Sequence, residues 1–332
     1  MAITGTKPFF YLQAGIESTP GTAVAATRIQ PIVSGNFTEH ADREFIMEER
    51  QSLIKNYRAV ATKQYVEMTG IEVAPTFEDL PWWLQFFAKG GVTGVLEDTA
   101  AYRYTFTPTS TSNDLKTATF EFGDNTQDYE VAFCVGTDFE ITFARNAPAT
   151  QSVGFLGQSA STTTKTAALS QRDTESINGA LAAVYIDSNS GTIGTTAVTN
   201  VLDVKITLPT MTSQFWALNG SLAPVDVYRA EPRGASIEMT MAFTNDTEYA
   251  AFKSNFDSDD ERFVRVAAEG TVISGSSTNK LVQFDLYPVW AEAQMGEQDG
   301  LRVVQFSGET KYNSSAGYDW NIQVVNGLSA LP

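Results

Sequence analysis

Hydrophobic and polar residues alternate along much of this chain. The alternation is clearest in five segments, 102–106 (YRYTF), 118–122 (ATFEF), 139–143 (FEITF), 204–208 (VKITL) and 282–286 (VQFDL). Because successive side chains of a strand point to opposite faces of a sheet, each segment predicts a strand with one buried and one solvated face. The pattern therefore predicts a mainly β protein.

Only two segments have a helical period, residues 77–89 and 246–256. Thr76 precedes the first segment and an asparagine precedes the second, and both residue types are favourable N-caps. Pro81 moves the expected start of the first helix toward Asp79, because proline is tolerated in the first turn of a helix and not in its interior.

The two predicted helices belong to an internal repeat. VEMT at 66–69 precedes the first helix and IEMT at 237–240 precedes the second. Apolar side chains spaced i, i+3, i+7 give each helix one apolar stripe for packing on an adjacent sheet. These residues are Leu80, Trp83 and Phe87 in the first helix, and Tyr249, Phe252 and Phe256 in the second. Element order and spacing predict a tandem duplication.

Each helix is expected to be followed by strands that end in a hairpin. In the first half, residues 129–136 are predicted to pair with 138–144 across Gly-Thr-Asp. In the second half, residues 281–295 are predicted to pair with 301–312 across Gly-Glu-Gln-Asp-Gly. Glycine and aspartate favour tight turns, so both halves are predicted to carry the same succession of strand, helix and hairpin.

Composition divides the chain between the halves. Residues 147–199 are rich in Ser, Thr, Ala and Gly, which is typical of loops and linkers, although 182–187 (AAVYID) still predicts a strand followed by a turn. We therefore expect an N-terminal arm over 1–31, a first β domain over 32–200 that includes this connecting segment, and a second β domain over 201–332.

Two long segments at corresponding places in the halves, 39–58 and 210–233, mix charged with apolar residues. Plain surface loops are more uniformly polar, and apolar side chains on a protruding loop often contact another subunit. Flexible loops without a partner are the alternative. The residues expected to make such contacts are Phe45, Ile46, Met47, Arg50, Tyr57, Phe215, Trp216, Tyr228 and Arg229.

The charge balance narrows the classes of function. With 22 basic and 39 acidic residues the chain carries a formal charge of -17, which repels DNA backbones and anionic lipid surfaces. A protein that grips DNA should be basic. The sequence has neither an apolar stretch of membrane-spanning length nor the pattern of an export signal, so a soluble protein is expected.

Few residues could carry chemistry. Cys134 is the only cysteine and is expected to be a small buried hydrophobe, and His40 is the only histidine, in an acidic segment. The acidic run 257–261 lacks the spacing of a calcium loop and favours a solvated turn. The Gly-Gly pair at 90–91 follows a helix, whereas a phosphate-binding loop precedes one. We therefore expect no catalytic residue, metal site or cofactor, and no enzymatic activity.

Residues 11–31 (YLQAGIESTPGTAVAATRIQP) resemble the opening of the tail tube proteins of long-tailed, siphovirus-type bacteriophages. In that family a glycine, an acidic residue, Gly-Thr-Ala-Val-Ala and then Thr-Arg lead into the first strand. The likeness covers most of the first half and is weaker after 202; it continues at 44–50, at 70 through the PWWL run of 81–84, at 104–108 (YTFTP) and at 139–157.

The resemblance implies the phage tail-tube fold, a β-sandwich or rolled sheet with one flanking helix per unit. Inner sheets of neighbouring subunits join edge to edge into rings, and the rings stack into a hollow tube through which DNA passes during ejection. Long loops and the arm 1–31 would contact the next ring. Two units per chain would give a trimeric ring with pseudo-sixfold symmetry, which the repeat favours over a hexamer.

The implied partners are further copies of the chain, the tape measure protein and other tail proteins, with DNA only in transit and no membrane. The protein would assemble in the host cytoplasm and reside in the virion tail. A lumen lined with carboxylates would repel phosphate and let DNA slide; the alternative is that the acidic surplus only keeps the subunit soluble. Competing functions are another tail ring component (terminator, tail-tip or secretion-tube-like protein) or a secreted β-rich binding module.

Overall fold

The computed structural model describes residues 11–51, 53–54, 56–108, 115–124, 126–210, 212–229, 234–243, 256 and 260–331. Up to residue 163 the described residues form ten strands and one α-helix: β1 (Tyr11–Ile16), β2 (Arg28–Ile29), β3 (Ser34–Met47), β4 (Asn56–Val73), α1 (Leu80–Phe87), β5 (Val95–Asp98), β6 (Ala101–Phe106), β7 (Ala118–Gly123), β8 (Asp128–Ala144), β9 (Thr150–Gly157) and β10 (Ala160–Thr163).

After a 3-10 turn (Gly179–Leu181), the described part of the chain continues as strands: β11 (Ala183–Asp187), β12 (Ala197–Val198), β13 (Val201–Pro209), β14 (Thr212–Phe215), β15 (Asp226–Arg229), β16 (Ser236–Ala242), β17 (Phe263–Val272), β18 (Asn279–Leu286), β19 (Pro288–Gln298), β20 (Leu301–Thr310) and β21 (Trp320–Asn326). The five segments with the clearest alternation all lie in strands. The prediction of a mainly β protein is confirmed.

One antiparallel sheet, here called the main sheet, contains strands from both halves of the chain. Eight of its strands follow the order β3-β4-β9-β8-β13-β16-β20-β19. The first four come from residues 34–157 and the last four from residues 201–310. β8 and β13 join the two groups, in a register that runs from Ala144 opposite Asp203 to Asp138 opposite Pro209.

The two groups of four strands have the same internal arrangement. β4 lies between β3 and β9 as β16 lies between β13 and β20, and the fourth strand of each group, β8 or β19, pairs with the third. Met68 lies opposite Phe155 in the first group, and Met239 lies opposite Phe306 in the second. The VEMT and IEMT segments therefore occupy matching places in the sheet.

A second sheet, here called the outer sheet, covers one face of the main sheet. Its order is β12-β11-β17-β18-β21-β6-β5. The rings of Phe143 on β8 and Phe284 on β18 lie 5.9 Å apart across the interface, inside one core that draws on both sheets. The chain moves from the outer to the main sheet at Tyr287, between β18 and β19. The result is a β-sandwich.

The helix α1 lies inside this core. All eight of its residues, polar Gln85 included, are buried, so the helix is enclosed on every side and not only along the predicted stripe of Leu80, Trp83 and Phe87. Phe87 packs on Phe139 of β8, with ring centroids 5.5 Å apart. The helix is shorter than 77–89 and starts after Asp79, whose N–H donates to Thr76 Oγ1 at 3.0 Å, and Pro81 lies in the first turn.

The predicted hairpin between 129–136 and 138–144 is wrong. β8 is one continuous strand, and its register with β9 shifts between Gly136 and Asp138, which marks a bulge. The second predicted hairpin is present as β19 and β20, and its turn at Asp299 and Gly300 has φ values of 51° and 76°. The predicted strand 281–295 is divided into β18 and β19.

Two predictions for irregular chain also need correction. The tract 147–199 contains β9, which lies between β4 and β8 in the main sheet, as well as the expected strand β11. Residues 11–31 are not an extended arm, because β1 pairs with β7 along its whole length and β2 pairs with β1.

Several predicted features lie outside the described residues. They are residues 1–10 of the arm, most of the second helix with Tyr249 and Phe252, and the start of the acidic run at 257–259. Phe256 is described, and its partly buried side chain packs on the core.

Candidate assembly surface

The eight ordered strands of the main sheet end at β3 on one side and at β19 on the other. Among the described residues β3 pairs with β4 alone and β19 pairs with β20 alone, so each strand leaves one row of backbone N–H and C=O groups without a strand partner. From Ala291 onward β19 is exposed except at half-buried Ala293, and β3 is exposed over most of its fourteen residues. Long exposed edges of this kind are templates for pairing with another chain.

One end of the β3–β4 pair extends beyond the rest of the main sheet, and we call residues 41–65 the first hairpin. β4 pairs with β9 only from Val66 onward, whereas its pairing with β3 continues back to Asn56 opposite Met47. The first hairpin exposes apolar side chains, namely Phe45, Met47, Leu53, Ile54 and Val60. Apolar groups concentrated on a protrusion are typical of a contact surface.

The first hairpin brings several of the predicted contact residues together. Phe45 is 60% exposed and Met47 is 72% exposed, while Ile46 is half-buried. Arg50 and Arg58 both form ion pairs with Glu48, close to the end of β3. The side chain of Tyr57 lies outside the described residues.

The corresponding segment of the second half, which we call the second hairpin (β14, β15 and their connection), folds back on its own chain. Gln214 Nε2 donates to the carbonyl of Gly157 at 3.0 Å, and the carbonyl of Leu222 accepts from the Gln64 N–H at 2.9 Å. Trp216 lies under the Lys63 ammonium, 4.8 Å from Nζ to the ring centroid. Trp216 thus joins the two hairpins of one chain.

The other predicted residues of the second hairpin are more accessible. Phe215 is 49% exposed and Tyr228 is 53% exposed. The side chain of Arg229 lies outside the described residues. Thr212 Oγ1 donates to the carbonyl of Gly136 at 2.6 Å, so the base of this hairpin is fixed to β8.

The face of the main sheet that is turned away from the core is polar and acidic. Lys205 Nζ lies 3.4 Å from a carboxylate oxygen of Glu140 and 3.4 Å from one of Glu238, on the two strands beside β13. Burial lowers the pKa of Lys205, but the two carboxylates outweigh it and raise the pKa above its ordinary value. A shallow groove of about 190 Å³ on this polar face is lined by Glu238, Glu292, Gln294, Gln305 and Ser307.

His40 lies on β3, opposite Tyr65 of β4. Its Nε2 is 3.1 Å from Glu67 Oε2, and its ring stacks on Tyr65 with centroids 4.5 Å apart. These contacts fix the only histidine of the chain on the edge strand β3, directly before the first hairpin.

The N-terminal motif within residues 11–31 stabilises the fold of the subunit, a role that was not predicted from the sequence. Glu17 is buried, and its carboxylate accepts hydrogen bonds from the Gly21 N–H, the Phe133 N–H and the hydroxyls of Thr117 and Thr119, at 2.7 to 2.9 Å. A glutamate just before Gly-Thr-Ala, in a region otherwise poor in charge, was the available signal. The motif therefore fixes the N-terminal segment to β7 and β8.

Arg28, at the end of the same motif, reaches the helix. Its guanidinium forms a buried ion pair with Asp79, the N-cap of α1, and lies over the ring of Trp82 at 4.7 Å. Burial lowers the pKa of Arg28 to about 10, although Asp79 opposes the shift. The motif segment from Glu17 to Arg28 thus connects the β7–β8 pair with the helix.

Within the described ranges no group of three or more His, Cys, Asp or Glu side chains could hold a metal ion. Cys134 is a free, fully buried thiol, as predicted, and burial raises its pKa. In the same part of the chain, no helix combines the length and the apolar composition that crossing a membrane requires.

Comparison with known families gives a match over most of the chain. The model of a family described as phage tail tube protein matches residues 11–309, which is 309 − 11 + 1 = 299 of the 332 residues. The match includes both hairpins and, except for the last residue of β20, all eight ordered strands of the main sheet. Curated proteins give no match. The extent of the family match, from the N-terminal motif to the end of the main sheet, shows that the chain belongs to the phage tail tube protein family.

Proposed function

We propose that this chain is the structural subunit of the hollow tail tube of a long-tailed phage, in which rings of copies stack and genomic DNA passes through the lumen during ejection. Family membership makes it a structural phage tail protein. The observation that supports the finer proposal is in the main sheet: its eight ordered strands repeat one four-strand arrangement, and the outermost two, β3 and β19, each have an open edge in the described chain.

Closure of the sheet through neighbouring copies would remove both open edges, because only a closed barrel leaves no unpaired strand. The chain already contains one joint between repeated groups, the β8–β13 pair. Repeating that joint between copies would produce a ring. On this proposal residues 32–200 and 201–332 are two tube units, and three chains make a ring with pseudo-sixfold symmetry.

The number of strands sets the size of such a ring. Three chains of eight strands would give 3 × 8 = 24 strands, which at a spacing of about 4.8 Å have a combined width of about 115 Å. The corresponding diameter is about 37 Å without tilt, and a strand tilt of about 35–45° widens it. That bore accommodates a DNA duplex with side chains on the wall, whereas six such chains would give twice the diameter.

The polar face of the main sheet would line the lumen, since the outer sheet covers the opposite face. Carboxylates such as Glu140, Glu238 and Glu292 then repel the phosphates of passing DNA, so that the duplex slides without being held. The role is structural and involves no catalysis. Partners would be further copies, the tape measure protein and other tail proteins, with assembly in the host cytoplasm.

Stacking of rings requires contacts that do not close on themselves. The first hairpin extends past the end of the sheet and exposes Phe45 and Met47. We assign it to the contact with the next ring, together with the exposed Phe215 and Tyr228 of the second hairpin. Burial of these side chains would supply the apolar part of the stacking energy.

Negative-stain microscopy of the purified chain at high concentration tests this function. Hollow tubes of uniform width are expected. Isolated closed rings that never stack would instead favour a terminator-like ring component. A monodisperse monomer at every concentration would contradict both assembly proposals.

A further inference from the structure

We propose that β19 of one copy pairs antiparallel with β3 of the next copy in one register, with Met295 opposite Ala41 and Gly296 opposite His40. The proposal rests on the ring assembly proposed above and specifies which residues meet. It follows from the joint between β8 and β13, which the chain builds within itself.

The first step places β3 on β13. Val66 lies opposite Glu39, and its counterpart in the repeat, Ile237, lies opposite Ile206. Glu39 therefore corresponds to Ile206. By the same offset His40 corresponds to Thr207 and Ala41 to Leu208. The β3–β4 register has no shift from Asn36 to Asp42, and β13 continues without a shift from Asp203 through Leu208 in its pairing with β8.

The second step places β19 on β8. Phe155 and Phe306 correspond, because each lies opposite the methionine of its repeat segment. One residue earlier, Gly154 lies opposite Asp138 and Gln305 lies opposite Gln294. Asp138 therefore corresponds to Gln294. Continuing along both strands, Phe139 corresponds to Met295 and Glu140 to Gly296.

The third step applies the register of the β8–β13 pair to β19 and β3 of two copies. Within the chain Phe139 lies opposite Leu208, and Glu140 lies opposite Thr207. Replacing each residue by its counterpart gives Met295 opposite Ala41 and Gly296 opposite His40. The same register extends from Gln294 opposite Asp42 to Gln298 opposite Thr38, and all ten residues lie within strands in the free chain.

The side chains that would meet have complementary sizes. Met295 is 49% exposed in the single chain, and the opposing Ala41 is small and exposed, so the thioether can cover it. On the polar face His40 already stacks on Tyr65, and Gly296 brings no side chain against the imidazole. A Cβ added at Gly296 would contact only Val303, on its own side of the edge.

The register also places two acidic residues together. Glu39 would lie opposite Glu297, and like charges directly opposite each other destabilise a sheet. The same row contains a basic residue, Arg302, which lies opposite Glu297 on β20. A slip by one residue would separate Glu39 from Glu297, but it would turn every side chain of β19 to the wrong face.

Disulfide cross-linking tests the register. Two in-register variants each place one thiol on β3 and one on β19, namely His40→Cys/Gly296→Cys and Ala41→Cys/Met295→Cys. Both variants are needed, because adjacent cross-strand pairs alternate between hydrogen-bonded and non-hydrogen-bonded positions. Matched controls are Ala41→Cys/Ala293→Cys and Ala41→Cys/Glu297→Cys, which stay on one face but shift by two residues, too far for a disulfide. The native Cys134 is buried.

The chain also offers a positive control. Glu140→Cys/Thr207→Cys places the same pair of positions at the joint inside one chain and should form an intrachain disulfide. After mild oxidation of assembled protein, at least one in-register variant should give linked chains on a non-reducing gel at about tenfold higher yield than either shifted control. If three copies close a ring, the products should end at three chains.

The outcomes separate this inference from the proposed function. Equal or better linking of a shifted control, or no linking of the in-register variants while unmodified chain forms tubes, would overturn the register and leave the tube function intact. If unmodified chain forms neither rings nor tubes, the proposed function itself fails. Linked products larger than three chains would support the pairing and contradict the trimeric ring.

Discussion

Glu17 Oε1 accepts a hydrogen bond from the backbone N–H of Phe133 at 2.8 Å, across 116 residues of sequence. Phe133 has a φ of 56°, in the left-handed region that bulky residues rarely adopt. The buried carboxylate thus holds a bend in β8 against the N-terminal segment. The segment by which the chain resembles its family therefore stabilises the subunit.

Replacement of Glu17 should destabilise the subunit. Glu17→Ala leaves the buried N–H of Phe133 and the hydroxyls of Thr117 and Thr119 without their acceptor. We expect the free energy of unfolding to fall by about 2–4 kcal/mol in urea titrations of dilute, unassembled protein. Glu17→Gln keeps the shape and one acceptor oxygen and should lose less. Equal stability of wild type and Glu17→Ala would contradict this role.

The buried ion pair of Arg28 and Asp79 should show strong coupling. Removal of one partner of a buried pair leaves an uncompensated charge and costs about 3–5 kcal/mol. Arg28→Met should cost less than Asp79→Leu, because Arg172 Nη1 lies 3.9 Å from the Asp79 carboxylate and remains as a partner. In a double-mutant cycle the double variant should lose less stability than the two single variants lose together. Additive losses would show that the pair is not coupled.

Stability at alkaline pH should depend on Tyr104. Burial raises the pKa of Tyr104 to about 12, and its buried hydroxyl donates to the carbonyl of Leu328 at 2.6 Å. Because the folded pKa lies above the unfolded value of about 10, the stabilisation is complete below pH ~10 and is lost as pH rises toward 12. The stability difference between wild type and Tyr104→Phe should therefore shrink between pH 9 and pH 11.5 in urea titrations. A constant difference would contradict this assignment.

Polar replacement on the first hairpin should weaken polymerisation without weakening the fold. Phe45→Ser/Met47→Ser removes two exposed apolar side chains from the proposed contact between rings. We expect the concentration at which tubes form, measured by sedimentation, to rise by at least tenfold while the thermal unfolding of free subunits is unchanged. Val272→Ser is the matched control, since Val272 is equally exposed but lies on the outer sheet. Normal tubes from the double variant would exclude the hairpin as that contact.

Charge reversal on the polar face should slow the passage of DNA through the tube. Glu292→Lys places a cation in the groove of the polar face, repeated in every copy along the tube. DNA release from variant particles should be slower at low salt and recover at high salt, because phosphate contacts weaken with ionic strength. Glu269→Lys makes the same change on the outer sheet and should release DNA at the wild-type rate. Equal rates for the two variants would contradict a lumenal position of Glu292.

Local patterns in the sequence predict the strands well and the connections poorly. Val204 to Leu208 alternates because β13 has one face on the core, and the burial follows that period residue by residue. The Gly-Thr-Asp at 136–138 suggests a turn, but Gly136 is needed because an added Cβ would lie 2.4 Å from the ring of Phe87. A contact distant in sequence selects that glycine, so turn chemistry alone misassigns it.

The same limit applies to the candidate site. Apolar residues at 45–47 indicate a contact surface from composition alone, and the structure exposes Phe45 and Met47. Trp216 has a similar local context, yet it packs against Lys63 and Tyr65 of its own chain. Whether an apolar loop residue contacts its own chain or another copy depends on how the two hairpins meet, which no local pattern contains.

The cross-section of the assembled tube tests the central claim most directly, since the claim is that copies of the main sheet close one barrel. Cryo-electron microscopy of tubes from the purified chain should show three copies per ring and one continuous wall of twenty-four strands, three times the eight ordered strands of each chain. A ring of six copies, or a wall in which the edges of β3 and β19 remain unpaired, would contradict the account.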